Sequence, residues 1–379
     1  MWQIPFNKPY TAGKELFYIA QAMQLGNLSG DGHFTKRCCS LLEQRFGFRR
    51  VLMTPSCTAA LEMAVMLYDI GPGDEVLMPS FTFVSTANAV VRLGARPHFV
   101  DICPETLNVD PDQLASAVTS RTRALLPVHY GGVACEMDRI CELARQIDCP
   151  VIEDAAQGVN AFYGDRVLGS IGSLGAYSFH DTKNYSCGEG GALCINEDRL
   201  IERAENIRNK GTNRSQFLRG EVDKYTWVDV GSSYVANELS SAYLYGQLEL
   251  MDQIAARRRT VYDFYFDRLT PLADSGHLRL PVIPPNCTSN YHLFYVLLKS
   301  GEVRTRLMEF LRQRSIQAVF HYVPLHSAPL GRKVAANQNA TLPVTDDISE
   351  RLLRLPFYHD IQTAEQQLVV DAIAEFFHE

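Results

Sequence analysis

The 379-residue sequence holds ten cysteines but no C-x-x-C pair. That absence speaks against a zinc ribbon or a thioredoxin-like redox centre, and the thiols read as small buried residues. No metal site is expected. The chain also lacks a cationic tail or long basic run: 36 lysines and arginines face 43 acidic residues, for a net charge of -7. Duplex nucleic acid is therefore not an expected partner, and an anionic small molecule would need a local basic pocket. No apolar run is long enough to span a bilayer, and MWQIPFNKPYTAGKE shows no charged segment leading into an apolar one. Membrane insertion is not expected, and the protein reads as cytoplasmic. Neither G-x-x-x-x-G-K-[ST] nor G-x-G-x-x-G occurs, the GEGG at 188–191 fitting neither pattern. Internal repeats and low-complexity segments are missing as well.

What is present is an alternation of short apolar runs with helical patterns. RRVLMTPS, DEVLMPS, RPHFVDI, TRALLPVH, PVIEDAA, LGAYSFH and GGALCIN are each bounded by glycine, proline or aspartate. They predict a seven-stranded, mostly parallel sheet covered on both faces. A polar, basic stretch (KGTNRSQFLRGEVDKYTW) follows, then one long helical pattern over about 238–268. The remainder offers strand-like YHLFYVLLK and QAVFHYVPLH, a polar loop at 331–347, and helices around RTRLMEFLRQR and TAEQQLVVDAIAEFF. The reading is a large α/β domain over 1–245, whose N-terminal segment packs on the small domain, and a linking helix with a small α/β domain over 246–379.

Ligands of open α/β sheets sit beyond the carboxyl ends of the strands, so those ends carry the functional argument. The first run closes in TPSCTAAL, a helix start able to hold a phosphate. The second closes in PSFTFVST, with Phe83 near the same edge, and the fifth in VIEDAAQG, which puts Asp154 directly behind an apolar run. The sixth supplies Ser178 and then Lys183, a lone amine between two buried segments. An ammonium or carboxylate so close to a core calls for a partner or for chemistry. A lysine, a carboxylate, an aromatic face and phosphate donors are the four things that pyridoxal phosphate requires of a protein.

GDEVLMPSFTFVSTANAV, PVHYGG, VIEDAAQG, SFHDTKNYSCGEGG and FHYVPLH together resemble the DegT/DnrJ/EryC/StrS family of sugar-nucleotide aminotransferases over nearly the whole chain. The resemblance implies the aspartate aminotransferase-like fold, fold type I, and a homodimer. It makes Lys183 the residue that carries pyridoxal 5'-phosphate as a Schiff base, Asp154 the partner of the pyridine nitrogen, Gln157 a contact of the ring hydroxyl and Phe83 a stacking platform. Cys57, through its backbone N–H, Thr58 and Ser178 hold the phosphate. Where many relatives have G-Y-N-Y-R, with an asparagine that reaches a neighbouring subunit's cofactor, this chain has Gly231-Ser232-Ser233-Tyr234-Val235.

IPFNKP, SGDGHFTKRC, VHYGGVACEMD and SERLLRLPFYHD narrow the resemblance to members that aminate a dTDP-linked 4-ketosugar with L-glutamate as donor. Asn213, Arg214, Arg219, His321, Tyr322 and His326 are the candidates for the nucleotide and diphosphate. QAVFHYVPLH contains aromatics and imidazoles but no arginine, which fits a sugar or base better than a second small dicarboxylate. Three rivals share the pattern: an aminotransferase for another nucleotide-linked ketosugar (at C3 or C4, on UDP or GDP), a ketosugar dehydratase and a non-catalytic ligand-binding relative. The dehydratase would have histidine at the Lys183 position, and the binding module would show a damaged lysine or aspartate.

Overall fold

The computed structural model describes residues 2–378. All seven expected runs are strands: β1 (Arg50–Thr54), β2 (Glu75–Pro79), β3 (Arg96–Val100), β4 (Thr122–Leu125), β5 (Ile152–Asp154), β6 (Leu174–Ser178) and β7 (Gly191–Ile195). Their spatial order is β1-β7-β6-β5, continued through bridges Leu125–Val151 and Val128–Asp154 into β4-β2-β3. Every neighbouring pair is parallel except those made by β7, which runs against both β1 and β6.

Alternate residues of each strand enter different cores. Val51, Met53, Leu77, Val100 and Leu125 pack on one side. Leu52, Val76, Met78, Phe99 and Ala124 pack on the other. This is the two-residue period of a sheet covered on both faces, and it explains the nearly unbroken apolar runs. The helix Cys57–Leu67 is buried along almost its whole length. Its one buried charge, Glu62, is taken up by Arg92 at 3.1 Å and the hydroxyl of Tyr234 at 2.6 Å.

A second sheet, antiparallel throughout, joins β8 (Leu278–Arg279), β9 (Tyr295–Leu298) and β10 (Leu352–Arg354). It shares a core with helices Met251–Asp274, Gly301–Gln313 and Thr363–His378, and Ile4 from the N-terminal segment lies in that core. Asp101, just past β3, caps the helix Pro343–Arg351 by accepting N–H bonds from Val344 and Thr345 at 3.0 and 2.8 Å. An apolar cluster of Phe81, Tyr130, Leu293, Tyr295 and Leu352 cements the two sheets together.

Three sequence expectations are corrected. The helical pattern over 238–268 forms two helices, Glu238–Leu248 and Met251–Asp274. The run QAVFHYVPLH is not a strand, since only Val319 pairs, with Arg354. The polar loop at 331–347 contains the short helix Gly331–Val334 and the start of Pro343–Arg351.

Candidate active site

The carboxyl ends of β1, β2, β5 and β6 meet the second sheet around a cavity of about 420 Å³. Because β5 and β6 are adjacent and parallel, the residues that follow them, Asp154 to Gln157 and Ser178 to Lys183, stand side by side. Lys183 sits in the loop that turns β6 back into the antiparallel β7. Backbone bonds from Phe179 to Gly190 (2.8 Å) and from Asp181 to Gly188 (2.9 Å) zip that loop closed. The next residue, Asn184, is buried and clamped, donating to the carbonyl of Asn290 at 2.7 Å and accepting from His292 Nδ1 at 2.9 Å. Burial keeps His292 neutral by pushing its pKa well below the usual imidazole value.

Asp154 accepts from Thr86 Oγ1 at 2.7 Å and from the Ala156 N–H at 3.1 Å. Desolvation nevertheless raises its pKa, against the opposing pull of those donors, Lys183 and His129. Lys183 is displaced the other way: desolvation lowers its pKa and Arg354 adds to this, while Cys57 and Asp154 oppose it. A buried carboxylate short of positive charge thus faces the cavity beside an amine inclined to be neutral.

Opposite them lies the start of the helix Cys57–Leu67. Ser56 caps it, accepting from the Ala59 N–H at 3.1 Å, and the first internal bond runs from Ala60 to Ser56. The N–H groups of Cys57 and Thr58 have no acceptor within the helix, the usual condition of a first turn and a ready anion cup. Thr58 Oγ1 donates to Ser85 Oγ at 2.8 Å, adding a second hydroxyl to the rim. Gly191 packs directly behind the cup; a Cβ there would lie 2.4 Å from the Cys57 nitrogen.

Lys183, Asp154, Gln157, Cys57, Thr58, Phe83 and Ser178 all line this one cavity, together with His321 and Tyr322. Gln157 is fixed by accepting from the Gly131 N–H at 2.6 Å and donating to the Tyr322 hydroxyl at 3.0 Å. Phe83 remains 58% exposed, its ring free on the cavity side. His326 lies outside the lining, engaged with Ser80 at 2.8 Å and Asp346 at 3.3 Å. Asn213, Arg214 and Arg219 lie elsewhere too: Asn213 accepts from the Thr226 N–H at 2.7 Å, Arg214 is exposed, and Arg219 pairs with Glu205 and Glu221.

The cavity also takes residues that the sequence did not single out. Thr86, the direct partner of Asp154, is one; Phe6 and Asn7 from the N-terminal segment, His292 and Arg354 are others. Arg354 brings to the site the arginine that QAVFHYVPLH lacks. Val319 of QAVFHYVPLH exchanges backbone bonds with Arg354 at 2.8 and 3.1 Å, so the arginine arrives from the neighbouring strand β10. The donor set fits pyridoxal phosphate: an amine, a buried carboxylate in want of a cation, a free aromatic face and an anion cup. Among the described residues, no group of three or more His, Cys, Asp or Glu side chains could hold a metal, and no helix is long and apolar enough to cross a membrane.

A fold that gathers these groups at the edge of a mostly parallel sheet defines an aminotransferase-type site. The chain belongs to the DegT/DnrJ/EryC1/StrS aminotransferase family, which it matches over residues 9–374. It is 31% identical to the spore coat polysaccharide biosynthesis protein SpsC of Bacillus subtilis, over 98% of this chain and 96% of that one. Among solved structures it is similar to the aminotransferase TlmJ of Streptoalloteichus hindustanus, with 28% identity, a TM-score of 0.90 and coverage of 100% and 99% of the two chains. It is likewise similar to S. venezuelae DesV in complex with a ketimine intermediate, with 29% identity, a TM-score of 0.89 and full coverage of both chains.

Proposed function

We propose that the chain is a pyridoxal phosphate-dependent sugar-nucleotide aminotransferase. It moves the amino group of L-glutamate to C4 of dTDP-4-dehydro-6-deoxy-D-glucose and yields dTDP-4-amino-4,6-dideoxy-D-galactose and 2-oxoglutarate. This is the reaction of dTDP-4-amino-4,6-dideoxygalactose transaminase, which serves enterobacterial common antigen synthesis. The observation that carries the reading is the convergence of Lys183, Asp154 and the Cys57–Thr58 helix start on one cavity. The family match and the polysaccharide role printed for SpsC support a sugar as the acceptor.

In this reading Lys183 holds the cofactor, Asp154 faces its ring nitrogen, Phe83 covers its face and the Cys57 and Thr58 N–H groups receive its phosphate. When bound, the cofactor supplies an electron sink that acidifies the C–H bond beside the transferred nitrogen. Lys183 is then the proton carrier: as a neutral amine it takes the proton from the donor's α-carbon and, in the second half-reaction, it delivers one to C4 of the sugar. Its lowered pKa makes the neutral form more accessible than in a free lysine. Asp154, ionised again once a cation lies beside it, holds the ring nitrogen protonated.

The protein works as a cytoplasmic homodimer in this proposal. Leu16, Phe17, Met23 and Leu25 of the helix Glu15–Leu25, with Trp227 and Val230, are exposed apolar side chains that want a cover. The segment bearing Asn213, Arg214 and Arg219 then serves the neighbouring subunit's cavity. Incubation with L-glutamate and a panel of dTDP and UDP ketosugars, with mass and NMR analysis of products, tests the assignment. Amination of a UDP sugar in preference to the dTDP-4-ketosugar would replace it.

A further inference from the structure

Behind Lys183, away from the main cavity, lies a chamber of about 10 Å³, barely the room of one water. Lys183 and His292 line this chamber and also line the main cavity, so both side chains belong to the partition between the two. Asn184 settles which nitrogen of His292 carries the proton. Its amide nitrogen is spent on the carbonyl of Asn290 at 2.7 Å, which leaves its oxygen to accept from His292 Nδ1 at 2.9 Å. A neutral imidazole has a single N–H, so Nε2 is a bare acceptor. Burial, with Lys183, Arg258 and Arg354 nearby, pushes the His292 pKa well below the usual imidazole value and keeps that nitrogen bare. Among the described residues neither His292 Nε2 nor the Lys183 amine has a hydrogen-bond partner, and both feel their surroundings through burial and charge alone.

We propose that His292 is the positioning residue for Lys183: its Nε2 accepts an N–H of the lysine amine whenever that amine is not joined to the cofactor. The inference rests on the aminotransferase reading of the same cavity and names the group that holds its proton carrier. A free amine on a flexible four-carbon stem has many rotamers, and an acceptor in the partition reduces them to one. When the amine takes a proton it becomes an ammonium, and its bond to a neutral acceptor strengthens because it is then charge-assisted. His292 does not keep the proton, since burial disfavours its charged form, so the proton stays on the lysine that must deliver it. The amide and phenol groups around the chamber are engaged elsewhere. Gln157 accepts from the Gly131 N–H at 2.6 Å, and the Tyr185 hydroxyl donates to the Met251 carbonyl at 3.2 Å. Asn290 Oδ1 is buried without a donor, but it abuts Gly132, where a Cβ would lie 2.0 Å from it, and Gly132 lines neither space.

Two substitutions separate this role from the clamp on Asn184. His292→Asn sets an amide N–H near the Nδ1 position, so it keeps the clamp and lacks the Nε2 acceptor; His292→Gln reaches the Nε2 position with its oxygen and gives up the clamp. In the cofactor-loaded proteins, exchange of the α-proton of L-glutamate with heavy water is followed by NMR, with no ketosugar present. His292→Asn should slow the exchange roughly 10-fold or more while melting temperature and pyridoxal phosphate affinity hold, and His292→Gln should exchange faster than His292→Asn despite a lower melting temperature. The reverse order, with exchange following melting temperature, marks a histidine that only supports the fold and overturns the proposal. A second measurement needs no substrate: nitrogen NMR of the cofactor-free protein carrying isotope-labelled histidine, with His292 identified by the signal that His292→Asn removes. Its Nε2 should be unprotonated and hydrogen-bonded, and should move to the position of a free acceptor in Lys183→Ala. A protonated Nε2, or one indifferent to Lys183→Ala, overturns the proposal. A wild type that exchanges no glutamate proton although Nε2 follows Lys183 sinks the aminotransferase reading and leaves the contact standing.

Discussion

Burial acts on Asp154 and Lys183 in opposite directions, and both drift toward neutrality, the acid by a raised pKa and the amine by a lowered one. For Lys183 the consequence is a pH dependence. An amine attacks a carbonyl only when unprotonated, so a lowered pKa makes the reactive form available at lower pH. Capture of pyridoxal phosphate by the cofactor-free protein, followed by absorbance, should rise with pH through a midpoint below that of a free lysine, and Lys183→Arg should abolish it. A midpoint at the free-lysine value contradicts the account. For Asp154 the consequence is electrostatic: Asp154→Asn should leave cofactor binding measurable but lower turnover about 100-fold or more. Near-normal turnover removes the assignment. Both residues were legible in the sequence because each closes an apolar run with a charge. Arg354 was not, because SERLLRLPFYHD shows its signal in the leucines and the arginine's neighbours Phe6 and Tyr130 lie hundreds of positions away.

Elements explain why the site can be assembled at all. The seven strands could be read as continuous apolar runs because both faces of the sheet are buried. The interruption of the helix at Glu249–Leu250 was hidden because Leu248, Met251 and Ile254 are all buried, so the helical apolar pattern runs on across it. QAVFHYVPLH looked like a strand for its β-branched and aromatic residues, but its side chains are spent on the cavity and on Ser80 instead of a ladder. The sharpest element-level test is β7 against the anion cup. A Cβ at Gly191 would meet the Ser56 carbonyl carbon and the Cys57 nitrogen, each at 2.4 Å, both backbone atoms that cannot swing aside. Gly191→Ala should displace the cup at a cost of about 1–3 kcal/mol and weaken pyridoxal phosphate in equilibrium titration by roughly tenfold. Unchanged affinity would show that the helix start does not hold the phosphate.

At the scale of the whole molecule, the cavity belongs neither to the large sheet nor to the small one. Asp154 closes a strand of the first and Lys183 follows another, Arg354 comes from the second, His321 from the irregular segment beside β10, and Phe6 from the N-terminal segment. The exposed apolar side chains on the helix Glu15–Leu25, with Leu16 at 79% and Phe17 at 61% exposure, are the surface on which the proposed dimer depends. Light scattering should give the mass of two chains, and Leu16→Glu with Phe17→Glu should shift it to one. A monomeric wild type would contradict this arrangement, together with the role given to Asn213, Arg214 and Arg219 across an interface.

The central claim is that the second substrate is a nucleotide-linked ketosugar, and the presence of Arg354 makes the direct comparison of acceptors decisive. The protein is first loaded with the donor's nitrogen by L-glutamate and freed of small molecules. It is then mixed separately with dTDP-4-dehydro-6-deoxyglucose, oxaloacetate and pyruvate, and the return of the aldehyde form of the cofactor is followed by absorbance. The account predicts that the ketosugar restores it far faster than either keto acid. Restoration by oxaloacetate as fast as by the ketosugar would contradict the sugar assignment and leave an amino-acid aminotransferase built on the same site.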